Sequence, residues 1–283
     1  MKAGVVGAGL MGAEIALVFA LAGHDVLLHD RSDDALAAAI TRLRGIVDKG
    51  VARQFYAPEA AEAALARIRP VSAIEAMAEC GLVTEAVYES IDAKIAVLRA
   101  LDAACQPACI LASNTSTLPI STLAACLTPE RRARFLGTHY FSPVSRMKLV
   151  EVIPGFATDG AVVDAVIALL GGIDKQPVRI KDVAGFAVNR MLHALLIEAV
   201  KLVEEGVATP ADLDAACRLG LGHPIGPFAM MDIVTSDLCL QVQEILHDAY
   251  GERFRPPALL KQRVAAGLGG GKGRTGWMGM GPG

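Results

Sequence analysis

The sequence predicts an α/β fold in which a doubly wound, mostly parallel sheet is followed by an all-α C-terminal region. Three observations carry this reading. Short β-like runs alternate with Ala-rich helical stretches through the first half of the chain, a glycine-rich turn separates the first run from the first helix, and from Ala184 onward the β-like runs stop. Strands separated by helices are the mark of a parallel sheet whose faces are both covered. The expected division is residues 1–182 and 183–283.

Taken in order, residues 3–6 read as a strand, 10–21 as a helix, 26–29 as a second strand, and 32–67 as a helical hairpin. Further apolar runs occupy 82–87, 109–112, 135–140, 149–153 and 178–180. In the second region 186–205, 210–219, 228–250 and 257–266 read as helices, separated by Gly206, by the Gly- and Pro-containing stretch 222–227 and by Pro256-Pro257. The Gly-rich end, 267–283, reads as a loose extension carrying one notable cation, Lys272.

Composition narrows the function. A chain of 283 residues suggests one or two domains and buries a core without staples. Hydrophobic residues make up 53% and charged residues 20%, which excludes extended disorder. A net charge of −3 and a pI near 6.1 argue against a general nucleic-acid surface. The 6 cysteines form no C-x-x-C pair and lie in apolar stretches, as reduced buried thiols of a cytosolic protein do. Residues 103–129 are uncharged, yet Gln106, Pro107, Asn114, Pro119 and many hydroxyls speak against a membrane span. Glu14 interrupts the apolar run that follows Lys2, so the first 22 residues do not read as a leader. The expected location is the cytoplasm.

Gly7-Ala8-Gly9-Leu10-Met11-Gly12 is a G-x-G-x-x-G. It gains meaning from its place, directly after a strand and opening a helix. Gly7 permits the tight turn, Gly9 lets a pyrophosphate approach the backbone, and Gly12 lets the helix pack closely on the strand. The free N–H groups of the helix N-terminus, including those around Leu10 and Met11, then face the phosphates. Asp30 closes the second strand, about 20 residues on, where an acid accepts the ribose hydroxyls. That carboxylate favours NAD over its 2′-phosphorylated form, while Arg31, directly next to it, offers such a phosphate a partner.

Among the 6 histidines, His139 ends an apolar run and precedes a Pro-containing loop, 141–147. Glu151 lies in the next run. If the two runs are neighbouring strands, the carboxylate can hold the imidazole tautomer and orient it to take a proton. A structural His–Glu pair has the same spacing. Ser113-Asn114-Thr115-Ser116 follows another run, at the strand end where open α/β sheets bind ligands, although helix capping is a common task for such hydroxyls. Asn189, early in the first helix of the second region, is ambiguous by itself.

These segments together resemble the 3-hydroxyacyl-CoA dehydrogenase family, including its short-chain 3-hydroxybutyryl-CoA members. Beyond the glycine loop the resemblance rests on Glu85-Ala86-Val87-Tyr88-Glu89, Ala112-Ser113-Asn114-Thr115-Ser116 and Gly137-Thr138-His139-Tyr140-Phe141-Ser142-Pro143. It continues in Lys148-Leu149-Val150-Glu151-Val152, Gly185-Phe186-Ala187-Val188-Asn189-Arg190 and His223-Pro224-Ile225-Gly226-Pro227. The resemblance implies a Rossmann-type sheet and an NAD-linked, reversible oxidation of the 3-hydroxyl of an acyl-CoA thioester, without a metal. It implies His139 as general base and acid with Glu151 as partner, and Ser116 and Asn189 on the reacting oxygen and thioester. On the cofactor side it implies Asp30, Glu89, Lys94, Ser116 and Lys272 besides the glycine loop. It also implies a homodimer formed through the helical region.

Three departures stand out. The family's H-F-F-N-P is His139-Tyr140-Phe141-Ser142-Pro143 here, with Ser142 in place of the amide. The first helical hairpin is about four residues short, near one turn of ~3.6 residues, and Arg42 and Lys49 are its nearest matches to the family's acyl-CoA contacts. The tail around Lys272 matches loosely. Two other readings share the fold: a dehydrogenase of a free hydroxy acid or sugar acid, and a non-catalytic NAD-binding sensor. The 3-hydroxyisobutyrate type needs a lysine in the linking helix, and residues 184–198 contain none.

Overall fold

In the computed structural model, which describes residues 1–280, the chain forms two units, Met1–Val183 and Ala184–Gly283. Residues 281–283 of the expected tail lie outside the described part. Among the described residues no helix is long and apolar enough to cross a membrane.

The first unit runs β1 (Lys2–Val6), α1 (Leu10–Leu21), β2 (Asp25–His29), α2 (Asp33–Ala52), α3 (Pro58–Arg67), β3 (Ile68–Val71) and β4 (Leu82–Glu85). It continues through α4 (Ile91–Ala104), β5 (Ile110–Ser113), α5 (Ile120–Ala124), α6 (Pro129–Arg132), β6 (Phe135–Tyr140), β7 (Leu149–Pro154), α7 (Gly160–Gly172) and β8 (Gln176–Arg179). The local signals are ordinary ones. Ser32 caps α2 by accepting from the Ala35 amide at 3.2 Å, Pro58 opens α3, and Asp159 caps α7 by accepting from the Ala161 amide at 3.0 Å. Helix α1 is apolar on almost every side and is buried from Gly12 to Ala20, as a helix packed against the sheet must be.

The strands form one eight-stranded sheet in the order β3-β2-β1-β4-β5-β6-β7-β8. Every pair is parallel except β6 and β7. Only the short loop 141–148 joins these two, too little chain for a crossover, so they run antiparallel. Strand β3 carries no β-like pattern in the sequence: it is a four-residue edge strand, Ile-Arg-Pro-Val, whose Pro70 is tolerated at a sheet edge. The chain leaves β1 toward β2 on one side and reaches β4 on the other. This reversal opens a crevice at the carboxyl ends of the strands.

The second unit comprises α8 (Val188–Glu204), α9 (Pro210–Gly220), α10 (Pro227–Val234), α11 (Ser236–Tyr250), α12 (Ala258–Ala265) and a minimal hairpin of β9 (Thr275–Gly276) with β10 (Gly279–Met280). Two expectations are corrected here. The single helix expected over 228–250 is two helices, broken at Thr235, which has φ +77° and whose hydroxyl accepts from the Leu238 amide at 3.3 Å to cap α11. The glycine-rich tail is also not loose. Asp232 accepts from the Trp277 and Met278 amides, each at 2.8 Å, and the Trp277 indole N–H donates to Ser236 Oγ at 2.9 Å. The Trp277 ring lies 5.0 Å from that of Phe228 and 4.2 Å beneath the Arg263 guanidinium. A Cβ on Gly276 would fall 2.1 Å from the Asp232 carboxylate, so the backbone wraps that side chain only where side chains are missing.

Candidate active site

The crevice at the carboxyl ends of β1, β2 and β4 is a cleft of about 500 Å³ lined by Val6, Gly7, Gly9, Asp30, Val87 and Tyr88 among others. Gly7 has φ +106°, and a Cβ on Gly12 would stand 1.8 Å from the Gly7 carbonyl oxygen, so turn and helix meet backbone to backbone. In front of Gly9 the space is open: a Cβ there would meet nothing within 4 Å. A pyrophosphate therefore has room to reach the amides of the first turn of α1, where Leu10 is exposed and Met11 half-buried. Asp30 is fixed before any ligand arrives. Its Oδ2 accepts from the Ala8 amide at 2.9 Å and its Oδ1 from the Ser32 amide at 3.1 Å, while Arg31 is exposed on the rim. The residues present fit a dinucleotide.

Beside the cleft lies a buried ionic network that the sequence motifs name but do not assemble. Lys94 is 1% exposed, and its ammonium donates to Glu85 Oε1 at 2.8 Å and to the Val87 carbonyl at 3.2 Å, with Glu89 Oε2 at 3.3 Å. Glu85, fully buried, also accepts from the Val87 amide and from Ser113 Oγ. Glu89 Oε1 gathers the loop after β5: Thr115 Oγ1 at 2.6 Å, the Ser116 amide at 2.9 Å and hydroxyl at 3.3 Å, and the Thr117 amide and hydroxyl at 3.1 Å. Burial pushes the Glu89 carboxyl up, but Lys94 and these donors together hold it below the usual carboxylate range. Lys94 is thus an internal brace, and Ser116 is presented by a loop that Glu89 holds.

His139 and Glu151 are register partners on β6 and β7, with Nδ1 and Oε2 2.7 Å apart and both side chains buried. The parallel register runs Val6 to Glu85 to Ser113 to Gly137. His139 therefore stands two residues past the level at which β1, β4 and β5 end, on the same edge of the sheet as the glycine turn. Its ring packs against Phe141 with centroids 4.4 Å apart. Asn114, whose side chain has no evident task in the sequence, accepts from the Tyr140 amide at 2.9 Å and so ties the Ser116 loop to the His139 strand.

A second groove, of about 220 Å³, lies between the hairpin and the loop after β6. Lys49, Arg53, Phe55, Tyr56, Ser145 and Arg146 are among the residues that line it, and the Arg146 guanidinium sits 4.3 Å over the Phe55 ring. Of the two hairpin cations singled out in the sequence, Lys49 faces this groove. Arg42 does not line it; its Nη1 is buried and, among the described residues, has no hydrogen-bond partner. Arg53, Phe55 and Arg146 escape sequence reading because the hairpin turn and the β6–β7 loop are distant in the chain. In the second unit, Asn189 lies in the first turn of α8, three residues after Phe186, which like Gly185 has a positive φ, and Lys272 is exposed on the turn before β9.

Comparison with known proteins covers both units. Residues 2–183 match the NAD-binding domain of 3-hydroxyacyl-CoA dehydrogenase, and residues 185–279 match the C-terminal domain of the same enzyme family. The chain is 38% identical over 272 residues to a probable 3-hydroxybutyryl-CoA dehydrogenase of Deinococcus radiodurans, covering 95% of this chain and 96% of that protein. It is 38% identical over 267 residues to the 3-hydroxybutyryl-CoA dehydrogenase of Bradyrhizobium diazoefficiens, covering 94% and 90%. The crystal structure of (S)-3-hydroxybutyryl-CoA dehydrogenase PaaH1 from Ralstonia eutropha superposes with a TM-score of 0.92 at 36% identity, covering 97% of each chain.

Proposed function

The chain belongs to the 3-hydroxyacyl-CoA dehydrogenase family, and from that premise we propose how its side chains divide the reaction. It is an NAD-dependent enzyme that oxidises (S)-3-hydroxyacyl-CoA to 3-ketoacyl-CoA, reversibly. NAD, when bound, supplies the hydride acceptor; the chain's own residues bind, orient and move the proton. His139 takes the proton of the 3-hydroxyl at Nε2. Glu151, across the strand pair, holds Nδ1–H, fixes the tautomer and balances the imidazolium that forms. In the reverse direction the imidazolium returns the proton to the ketone oxygen. Ser116 serves the reacting oxygen from the end of β5. The family resemblance assigns Asn189 to the substrate and Lys272 to the cofactor.

Gly7, Gly9, Leu10, Met11 and Gly12 receive the pyrophosphate and Asp30 the ribose hydroxyls, which favours NAD. Glu89 and Lys94 serve the cofactor side by fixing the 113–117 loop. The groove with three cations and an exposed aromatic suits the anionic nucleotide end of an acyl-CoA, with Lys49, Arg53 and Arg146 as its charged partners. A free hydroxy acid or sugar acid has no such end to place there. The exposed apolar side chains Met191, Val207, Leu219, Leu221 and Ile233 of the helical unit support a homodimer, to be checked by light scattering. The bacterial relatives favour a cytoplasmic location.

The single observation that carries the catalytic assignment is the His139–Glu151 pair at the same sheet edge as the glycine turn. Following NADH absorbance with acetoacetyl-CoA tests it. Turnover that disappears in His139→Ala while NADH still binds is the expected result. NADH binding without turnover of any 3-ketoacyl-CoA by the unaltered protein would instead identify a sensor.

A further inference from the structure

Glu14 is an unusual residue for its position. It lies two residues beyond Gly12 on the cofactor-binding helix α1, is 4% exposed, and has no part in the chemistry above. Its Oε2 accepts from the Ser145 amide at 2.9 Å and from the Ser145 hydroxyl at 3.0 Å. Ser145 is in the loop that leaves His139. Ser145 shares the groove lining with Tyr56, whose phenol burial and the nearby Glu14 charge push above its usual value.

The next residue, Arg146, covers Phe55. Ser145 and Arg146 thus line one groove with Phe55 and Tyr56 of the hairpin turn. Lys175, 6% exposed, donates its ammonium to the Val144 carbonyl and, at 2.9 Å, to the Met147 carbonyl. The loop is therefore gripped by a buried carboxylate and a buried ammonium, which bind different residues of it. Either charge is costly to bury unless its hydrogen bonds are made, so the grip fixes the loop main chain rather than tolerating slippage.

We propose that Glu14 is a positioning residue for substrate recognition: by holding Ser145 it sets Arg146 in the wall of the groove that receives the nucleotide end of the acyl-CoA, and links that wall to the cofactor helix. Lys175 completes the clamp. The inference rests on the reading of this groove given above, and it concerns binding of the thioester's distant end, not proton transfer.

The test compares acetoacetyl-CoA with S-acetoacetyl-N-acetylcysteamine, which has the same reacting group without the nucleotide. Glu14→Ala is expected to raise KM for acetoacetyl-CoA by about tenfold or more while kcat changes by less than about threefold. NADH affinity and kcat/KM for the truncated thioester should not change. Glu14→Gln, which retains an oxygen acceptor for Ser145, should restore most of the loss. If Glu14→Ala fails to fold, Ser145→Ala, which removes the hydroxyl donor to Glu14 and keeps the amide, weakens the same link from the loop side and should raise KM for acetoacetyl-CoA by a smaller factor, again with kcat/KM for the truncated thioester unchanged. Equal losses on both thioesters, or no loss on either, overturn the positioning role. Arg146→Ala separates the two claims. If it raises the CoA KM and Glu14→Ala does not, the groove stands and the clamp falls; if it leaves the CoA KM unchanged, the groove reading falls and the clamp with it.

Discussion

The amide of Tyr140 donates to Oδ1 of Asn114 at 2.9 Å, so the strand that carries His139 is stitched to the loop that presents Ser116. The two residues are 26 positions apart in the chain, and the parallel pairing of β5 and β6 brings them together. Loss of this bond should misplace the base relative to the substrate oxygen without unfolding the sheet. Asn114→Ala is expected to lower kcat by about tenfold, since small misplacements at a reacting centre are costly. Asn114→Asp, which retains an acceptor oxygen, should recover part of it in steady-state assays.

Substitution of the base and of its partner should be separable. His139→Gln removes acid–base catalysis and should cost about 10²–10⁴ in kcat. Glu151→Gln leaves the ring in place but can present its N–H₂ group to Nδ1, favouring the wrong tautomer, and should cost a similar factor. NADH titration should give near-normal affinity for both, because neither side chain lines the dinucleotide cleft.

Acid should reveal Glu89. Its carboxyl is held below the ordinary value, burial being outweighed by Lys94 and the hydroxyl and amide donors of the loop. A lowered carboxyl adds stability that is fully present above the unfolded glutamate pKa, about 4.3, and is lost as pH falls through the folded value. Urea unfolding of the native protein and of Glu89→Gln should therefore differ most near neutrality. The gap should narrow below about pH 4.3; a gap that stays constant would mean the carboxyl is not ionised in the folded state.

His193 makes the opposite test in the helical unit. It is 4% exposed on α8 and burial pushes its pKa down to about 4. The unfolded chain then binds a proton that the folded chain refuses between about pH 6.5 and 4. Stability should fall on acidification through that window, by about 2 kcal/mol from pH 7 to pH 5. His193→Gln should flatten the profile in the same denaturation series.

Tyr140 carries a fully buried hydroxyl with no hydrogen-bond partner among the described residues. Removing an unpaired buried polar group recovers its desolvation cost. Tyr140→Phe should be neutral or stabilise by about 1–2 kcal/mol in chemical denaturation, with turnover retained.

Much of this protein can be read along the chain, because the signals are local. The glycine turn, the acid closing β2, the alternation of strands and helices, and the change to helices after residue 183 each depend on a few neighbouring residues. The periodicity of side chains and the special freedom of glycine are written at that range. What the sequence alone carries is therefore the class of fold, a glycine turn that fits a dinucleotide, and a candidate base. Only the tertiary structure decided the partnerships: the antiparallel turn that sets Glu151 against His139, the Lys94 brace under Glu89, the groove joining Lys49 to Arg146, and the folding of the glycine tail around Asp232. Those partners lie from 5 (Glu89 to Lys94) to 97 positions apart (Lys49 to Arg146), and pairing across such distances is chosen by packing and burial of the whole chain, which no short stretch of residues encodes.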